Sequence, residues 1–79
     1  MNKQEIIVIL NDIFAEVFED KSISINEDSN SDNISGWDSL RHIYLVVAIE
    51  KKFELNFTAE QIQEWHNVGD MAEFIEKNV

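Results

Sequence analysis

The sequence predicts an all-α fold, a small four-helix bundle of three longer helices and one short helix. Apolar side chains recur at spacings of three and four along several segments, which is the period of a helix with one buried face. The 79-residue chain has no proline, and its two glycines, Gly36 and Gly69, lie between these segments rather than within them. A long polar loop separates the first two predicted helices. We therefore expect a single domain spanning residues 1–79.

The first helix is predicted over residues 3–19, where apolar positions follow the helical period and acidic side chains occupy other faces. Residues 21–36 are rich in Asn, Asp and Ser, which favours a loop. Ile23, Ile25 and Ile34 are the expected contacts of this loop with the core. The apolar positions of the helix are Ile6, Leu10, Ile13, Phe14, Val17 and Phe18.

The second helix is predicted over residues 38–53, with Asp38 as its candidate N-cap. It carries two apolar stripes, and four short helices cannot bury a helix on every side. The second stripe is therefore expected to remain available for a ligand or partner. The first stripe is His42, Leu45, Val46, Ile49 and Phe53, and the second is Leu40, Ile43, Tyr44 and Val47.

The short third helix is predicted to begin after Thr58, where Gln61 stands three residues later and completes a capping box. Residues 67–70 predict a turn, with Asp70 as a candidate N-cap for the last helix. The apolar positions of these two helices are Ile62 and Trp65, and then Met71, Phe74, Ile75 and Val79.

The charge balance restricts the classes of partner. Sixteen acidic side chains against six basic ones give a formal net charge of -10. Such a surface repels the phosphates of nucleic acids and of anionic membranes, so neither is an expected partner. The apolar run at residues 6–10 is too short for a signal peptide or a membrane span. We expect a cytoplasmic monomer whose partners are proteins.

The residue types also restrict the chemistry. The chain has no cysteine, which excludes disulfides, thiolate zinc sites and a cysteine nucleophile. Residues 28–32 begin like a calcium-binding loop, but Asn33 stands at the glycine position and Ser39 at the position of the bidentate Glu. We therefore expect no metal site, and no catalytic constellation is apparent.

The candidate functional site is Gly36-Trp37-Asp38-Ser39-Leu40. Ser39 is expected at the start of the second helix, where unpaired N–H groups and the helix dipole favour negative charge. A phosphate ester on Ser39 would be stabilised there, beside the apolar surface that Leu40 begins. The same residues are also explained by ordinary N-capping, which is the commoner use of Asp and Ser before a helix.

Over nearly its whole length the chain resembles the acyl carrier protein family, including the related peptidyl carrier domains. Asp38-Ser39-Leu40 matches the phosphopantetheine attachment motif of that family. Val68-Gly69-Asp70, followed by Phe74-Ile75, is similar to the family's entry into its last helix. The matching positions of the second helix are Ile43, Leu45, Val46, Ile49, Glu50 and Phe53.

The resemblance implies a carrier rather than an enzyme. A phosphopantetheinyl transferase would move 4'-phosphopantetheine from coenzyme A onto Ser39, with Asp38 and Leu40 completing the attachment site. The thiol of this arm would hold an acyl or aminoacyl group as a thioester. A loading ligase would supply that group, and downstream biosynthetic enzymes would receive it.

The predicted second helix departs from the acidic pattern of the family. Residues 39–55 carry a net charge of +1, and Arg41 and Tyr44 occupy positions that are often acidic in fatty-acid carriers. Arg41, Ile43, Tyr44 and Val47 are the expected partner-binding residues. The charge of this segment, with Arg41 and Tyr44 at these positions, favours a dedicated polyketide, peptide or surface-glycan pathway over general fatty-acid synthesis. Alternatively, Arg41 only pairs with a neighbouring carboxylate on a solvated face.

Three further residues have alternative roles. Trp37 and Trp65 are expected to pack loops and helices against the core, although Trp37 could also contact the arm. His42 is expected to be packed rather than to act as a base. A second functional hypothesis is an acidic helical adaptor that binds a protein through Leu40, Tyr44 and Val47 without modification. An enzyme is the least favoured hypothesis.

Overall fold

The computed structural model describes all 79 residues and contains four helices and no strand, which confirms the predicted fold class. The second and fourth helices both pack on the first helix. No helix combines the length and apolar character needed to cross a membrane. The helices are α1 (Lys3–Val17), α2 (Ser39–Phe53), α3 (Ala59–Gln63) and α4 (Val68–Asn78).

The hydrophobic core lies around α1, which contacts both α2 and α4. A fully buried aliphatic or aromatic side chain stabilises a fold by roughly 1.5–3 kcal/mol, so this core is the main source of stability. α3 contributes no buried residue to it. The core residues are Ile6, Ile7, Leu10, Ile13, Phe14, Ile25, Leu45, Ile49, Val68, Met71, Ala72 and Ile75.

The helix starts follow the capping residues of the sequence. Asp38 is the N-cap of α2, as predicted, and Thr58 and Gln61 form the predicted capping box of α3. α1 also begins with a capping box, formed by Asn2 and Glu5. Each box satisfies backbone N–H groups that the first turn of a helix otherwise leaves unpaired.

α1 is two residues shorter than predicted. It ends at Val17, and Glu19 has a left-handed backbone with a φ of 53°. The N–H groups of Glu19 and Asp20 donate to Glu16 and Ala15 carbonyls, which closes the end of the helix.

The long loop between α1 and α2 packs on the core as predicted. Ile25 is buried, and Ile23 and Ile34 are half-buried against the core. The side-chain amide of Asn11 in α1 binds the loop through both of its polar atoms. Nδ2 donates to the carbonyl of Ile23 at 3.3 Å, and Oδ1 accepts from the N–H of Ile25 at 2.8 Å. The loop is therefore an ordered part of the fold.

The same loop is bonded to the start of α4. The N–H of Val68 donates to the carbonyl of Ser29 at 2.9 Å, and the N–H of Gly69 donates to the carbonyl of Glu27 at 2.9 Å. Gly69 allows this approach, because a Cβ there would lie 2.9 Å from the same Glu27 oxygen. Two of the first N–H groups of α4 are thus satisfied by the loop backbone.

Two expectations for α4 were wrong. Asn67, not Asp70, is the N-cap, because its side chain accepts from the N–H of Asp70 at 2.8 Å and α4 already begins at Val68. The Asp70 carboxylate instead accepts from the N–H of His66 at 3.0 Å. Val79 is 55% exposed, because it lies beyond the last helical residue, where no neighbouring element covers it.

Candidate functional site

Ser39 is the first residue of α2 and is exposed. Asp38 precedes it in an extended conformation, and its Oδ1 accepts from the N–H of Arg41 at 2.8 Å. The N–H groups of Ser39 and Leu40 donate to no protein atom. The start of α2 therefore has two free backbone donors beside the Ser39 hydroxyl, at the positive end of the helix dipole.

The start of α4 lacks this arrangement. The N–H groups of Val68 and Gly69 donate to loop carbonyls, and the N–H of Asp70 donates to Asn67. Free donors adjacent to a hydroxyl are what a phosphate ester needs, because its oxygens accept hydrogen bonds and carry negative charge. The residues around Ser39 thus fit a phosphate-linked group.

Arg41 forms an ion pair with Asp38, in which Nη1 lies 3.3 Å from Oδ2. Its guanidinium carbon also lies 6.0 Å from the centroid of the Phe18 ring. Both side chains of the ion pair are largely solvent-exposed, so the pair adds little stability. The structure thus shows that Arg41 pairs with a neighbouring carboxylate, which is compatible with either role, and Phe18 is a neighbour that the sequence did not indicate.

Trp37 packs the end of the loop against α1, as expected. Its ring lies edge-on to the ring of Phe14, with 5.1 Å between the centroids. Its indole N–H donates to Nδ1 of His42 at 3.1 Å. His42 is half-buried, and this burial lowers its pKa below 6.5. His42 is thus packed, as expected, and its neutral form accepts the bond from Trp37.

An open cleft of about 590 Å³ lies beside Ser39. It is formed where the start of α2 and the end of the long loop meet the segment between α3 and α4. Trp65 follows α3 and is half-buried, with its ring edge-on to Phe57 at 5.0 Å between centroids. The residues that line the cleft include Ser39, Trp37, His42, Trp65, Asn67 and Met71.

The sequence did not predict that these residues line one cleft. His66 and Asn67 also border the cleft, although they lie far from Ser39 in sequence. The available signal was Asn67 itself, because an asparagine just before an apolar helical pattern predicts an N-cap.

The second apolar stripe of α2 is exposed, whereas the first is largely buried. Leu40, Ile43, Tyr44 and Val47 are exposed by 57%, 57%, 54% and 42%, while Leu45, Val46 and Ile49 are buried. These four side chains, which we call the α2 face, flank Arg41. A contiguous exposed apolar surface of this kind is typical of a site that contacts another protein.

The acidic loop uses its polar side chains to close its own turns. Oδ1 of Asn30 accepts from the N–H groups of Asp32 and Asn33, and Oδ1 of Asn26 accepts from the N–H of Asp28. No group of three or more His, Cys, Asp or Glu side chains is placed to hold a metal ion.

Comparison with known proteins gives consistent matches. A family model described as phosphopantetheine attachment site matches residues 9–75. The acyl carrier protein of Prochlorococcus marinus is 34% identical over 76 residues, which are 96% of this chain and 95% of that protein. That of Exiguobacterium sibiricum is 32% identical over the full length of both. The solution NMR structure of holo acyl carrier protein from Geobacter metallireducens superposes with a TM-score of 0.85 at 35% identity, covering 90% of this chain and 82% of that one.

Proposed function

The chain belongs to the acyl carrier protein family, and from that premise we propose that Ser39 is the residue that carries its prosthetic group. Proteins of this family are carriers rather than enzymes, and their cofactor is covalent 4'-phosphopantetheine. A phosphopantetheinyl transferase attaches it, and biosynthetic enzymes act on the loaded carrier. When bound, the group supplies the thiol that holds an acyl group as a thioester.

The observation that supports Ser39 is its exposed hydroxyl beside two free backbone donors. No other serine lies in a helix. The hydroxyl of Ser22 donates to Asp20, and Ser29 is buried and accepts from the N–H of Asn26. The other serines, all in the connection between α1 and α2, are Ser22, Ser24, Ser29, Ser31 and Ser35.

In the proposed transfer, Oγ of Ser39 attacks the phosphorus that bears the pantetheine chain of coenzyme A. A bond forms between Oγ and phosphorus, the phosphoanhydride bond breaks, and adenosine 3',5'-bisphosphate leaves. The transferase supplies the base that takes the hydroxyl proton. Asp38 holds the helix start, and the N–H groups of Ser39 and Leu40 can donate to the phosphate oxygens of the product.

We propose that the α2 face, together with Arg41, is the surface that partner enzymes bind. Its exposed apolar side chains favour a partner surface that is itself apolar, and burying them would drive association. Residues 39–55 carry a net charge of +1, so a strongly basic partner patch gains nothing from this helix. This supports a dedicated ligase and pathway for an acyl or aminoacyl cargo. We further propose that the carrier acts as a monomer in the cytoplasm.

The α2 face also supports a second candidate, because an exposed apolar surface can bind a protein without any modification. In that case the chain would be an adaptor, and Ser39 with Asp38 would only begin the helix. The two candidates differ in whether Ser39 accepts the prosthetic group.

The deciding experiment incubates the protein with coenzyme A and a broad-specificity phosphopantetheinyl transferase, then measures the intact mass. We expect one added 4'-phosphopantetheine on the wild type and none on Ser39→Ala. Ser35→Ala is the matched control, because it removes an exposed serine hydroxyl four residues earlier, and it should be modified like the wild type. An unmodified wild type, or modification of Ser39→Ala, would contradict the proposal and favour the adaptor.

A further inference from the structure

We propose that the enzymes which bind the α2 face present carboxylate side chains to it, opposite a cationic edge formed by Arg41, Lys51 and Lys52. The inference rests on the proposed function, because that function makes the α2 face a contact surface for enzymes. It adds the sign of the partner's charge and the direction in which the partner lies on α2. The partner is a protein surface with an apolar centre and an acidic border.

The three cations lie along the exposed side of α2. Lys51 follows Val47 by four residues and Tyr44 by seven, which places it on the stripe that these two side chains form. Lys52 follows Arg41 by three helical turns, so these two lie along one border of that stripe, about 16 Å apart along the helix axis. Both lysines are exposed, and the Arg41 side chain is 42% exposed. Positive charge therefore borders the α2 face from its first turn to its last.

The cationic edge is available to an outside group. The chain has three ion pairs, which engage Lys3, Arg41 and Lys77, so Lys51 and Lys52 have no carboxylate partner. The ion pair of Arg41 is solvent-exposed and adds little stability, so a partner's carboxylate can replace it. Half of the six basic side chains of the chain lie within residues 41–52. The basic residues are thus concentrated on the one helix whose apolar side is exposed.

The opposite border of the α2 face carries the opposite charge. Glu50 follows Ile43 by seven residues and lies on its side of the helix, and Glu54 comes directly after the last helical residue. Oε2 of Glu50 accepts from the N–H of Phe57 at 2.9 Å, which holds this carboxylate in place. Charge therefore changes sign across the face. A partner with carboxylates along one border gains from contact in one orientation and is repelled in the reverse one.

The α2 face ends in a shallow depression of about 390 Å³. Val47 and Lys51 line it together with Leu55, which is half-buried and supplies apolar surface. A partner side chain that enters the depression would therefore contact apolar surface close to a free ammonium group. This arrangement extends the contact surface to the end of α2 that is far from Ser39.

Two other roles for the lysines are possible in physical terms. Lysines in the last turn stabilise a helix through its dipole, and this role needs no partner. A helix face that is both cationic and apolar can also bind an anionic membrane. A membrane surface would, however, repel the border formed by Glu50 and Glu54 as well as the chain as a whole, whose net charge is -10. A protein partner can place its carboxylates on one border only, and the charge pattern therefore favours a protein.

The test uses two helical peptides as probes for the partner surface. Both have the same leucine stripe, and one carries glutamates along one border where the other carries lysines. The isotope-labelled protein is titrated at about 0.15 M salt, where charges more than about 8 Å apart are largely screened. We expect the glutamate peptide to shift the amide signals of Tyr44, Val47 and Lys51, and the lysine peptide to act mainly outside α2. Larger shifts on the α2 face with the lysine peptide, or none there with the glutamate peptide, would overturn the inference.

Variants of Lys51 identify the contact. Lys51→Glu should weaken binding of the glutamate peptide roughly fivefold or more, Lys51→Gln should weaken it less, and Lys51→Arg should bind like the wild type. Lys21→Glu is the matched control, because Lys21 is also exposed and has no ion pair but lies in the connection after α1. It should change the affinity by less than about twofold. Equal weakening in Lys51→Glu and Lys21→Glu would leave Lys51 with its role at the helix end only and overturn the inference.

The same order is expected for an enzyme. In loading by the cognate ligase, kcat/KM should be lower for Lys51→Glu than for Lys21→Glu, although Lys51 lies about 18 Å along the helix from Ser39. A higher kcat/KM in Lys51→Glu than in the wild type would show that the partner surface is basic and overturn the inference.

Two further measurements separate the alternatives. Sedimentation with phosphatidylglycerol vesicles of the wild type, but not of Lys51→Glu, would assign the cations to a lipid surface and overturn the assignment to a protein. Intact mass after the transferase reaction is measured on every protein before loading. An unmodified wild type contradicts the proposed carrier function, whereas a modified protein that shows no preference for the glutamate peptide contradicts only this inference.

Discussion

The indole N–H of Trp37 donates to Nδ1 of His42 at 3.1 Å, and the two rings are stacked with centroids 5.9 Å apart. Trp37 ends the long loop and His42 lies in the first turns of α2, so this bond joins the loop to the helix that carries Ser39. It exists only while Nδ1 is unprotonated, because an imidazolium has no acceptor.

The first prediction concerns the stability of the fold at acidic pH. Burial lowers the pKa of His42 in the folded state below the 6.5 of an unfolded chain. Between these two values the unfolded state binds more protons, so stability rises with pH and falls on acidification. The contribution of His42 should be fully present above pH 6.5 and be lost as pH falls towards its folded pKa, with a slope of at most about 1.4 kcal/mol per pH unit.

The measurement is urea unfolding of wild type and His42→Phe between pH 7.5 and 5. Asp38 and His66 border the same cleft, and both remain in the variant, so the difference between the two proteins isolates His42. The wild type should lose more stability than the variant over this range. Parallel pH dependences would show that titration of His42 does not affect folding.

The second prediction concerns the N-cap of α2. Asp38→Ala removes the acceptor for the N–H of Arg41, and it should cost about 1 kcal/mol of unfolding free energy. For a domain of this size, that corresponds to a melting temperature lower by roughly 4–8 °C. Asp38→Asn keeps the Oδ1 acceptor and loses only the exposed ion pair, so it should melt near the wild type. Equal melting of the two variants would contradict the capping role.

The third prediction concerns Arg41. Its ion pair with Asp38 is exposed, so Arg41→Glu should change the unfolding free energy by no more than about 1 kcal/mol. If Arg41 contributes to partner selection, the same change should alter kcat/KM for loading by the cognate ligase, whereas Arg41→Gln should alter it less. Unchanged loading in both variants would leave Arg41 with only its contact to Asp38 and Phe18.

The fourth prediction compares the two glycines. In Gly69→Ala the new Cβ would lie 2.9 Å from the carbonyl oxygen of Glu27, and that oxygen accepts the N–H of residue 69. The loop must therefore move away, at a cost of about 1–3 kcal/mol. Gly36 has a φ of +85° but no atom within 4 Å of an added Cβ, so Gly36→Ala carries only backbone strain, on the order of 1–2 kcal/mol. Amide NMR spectra should show broadened or shifted signals of the loop only in Gly69→Ala, and native amide shifts at Glu27 in that variant would contradict this.

The features that depend on the type and spacing of side chains, such as helix starts and buried positions, could be predicted from the sequence. Asp38 and Thr58 begin helices because their side chains accept from the N–H groups of the first turn, and Ile25 is buried because it is apolar within a polar stretch. The prediction of Asp70 as the N-cap of α4 was wrong because Asn67, three residues earlier, has the same capping chemistry and accepts from the N–H of Asp70 itself. Periodicity alone does not decide between two such candidates.

The cleft could not be predicted, because it depends on backbone contacts that carry no residue signature. The bonds from Val68 and Gly69 to the loop carbonyls set where α4 starts, and hence where Trp65 and His66 lie relative to Ser39. The exposed α2 face needed no such information, since two apolar stripes on one helix already exceed what a small bundle can bury.

The bonds between the loop and α4 have a mechanical consequence. They fasten the start of α4 to the loop independently of α3, which has no buried residue. The short helix can therefore open locally at low free energy while the frame of α1, α2 and α4 stays folded. Because Trp65 follows α3 directly, such opening would move one wall of the cleft and leave Ser39 in place. The width of the cleft would then change at the cost of the contacts of Trp65 with Phe57 and Phe74, while the proposed attachment point at Ser39 stays fixed on α2.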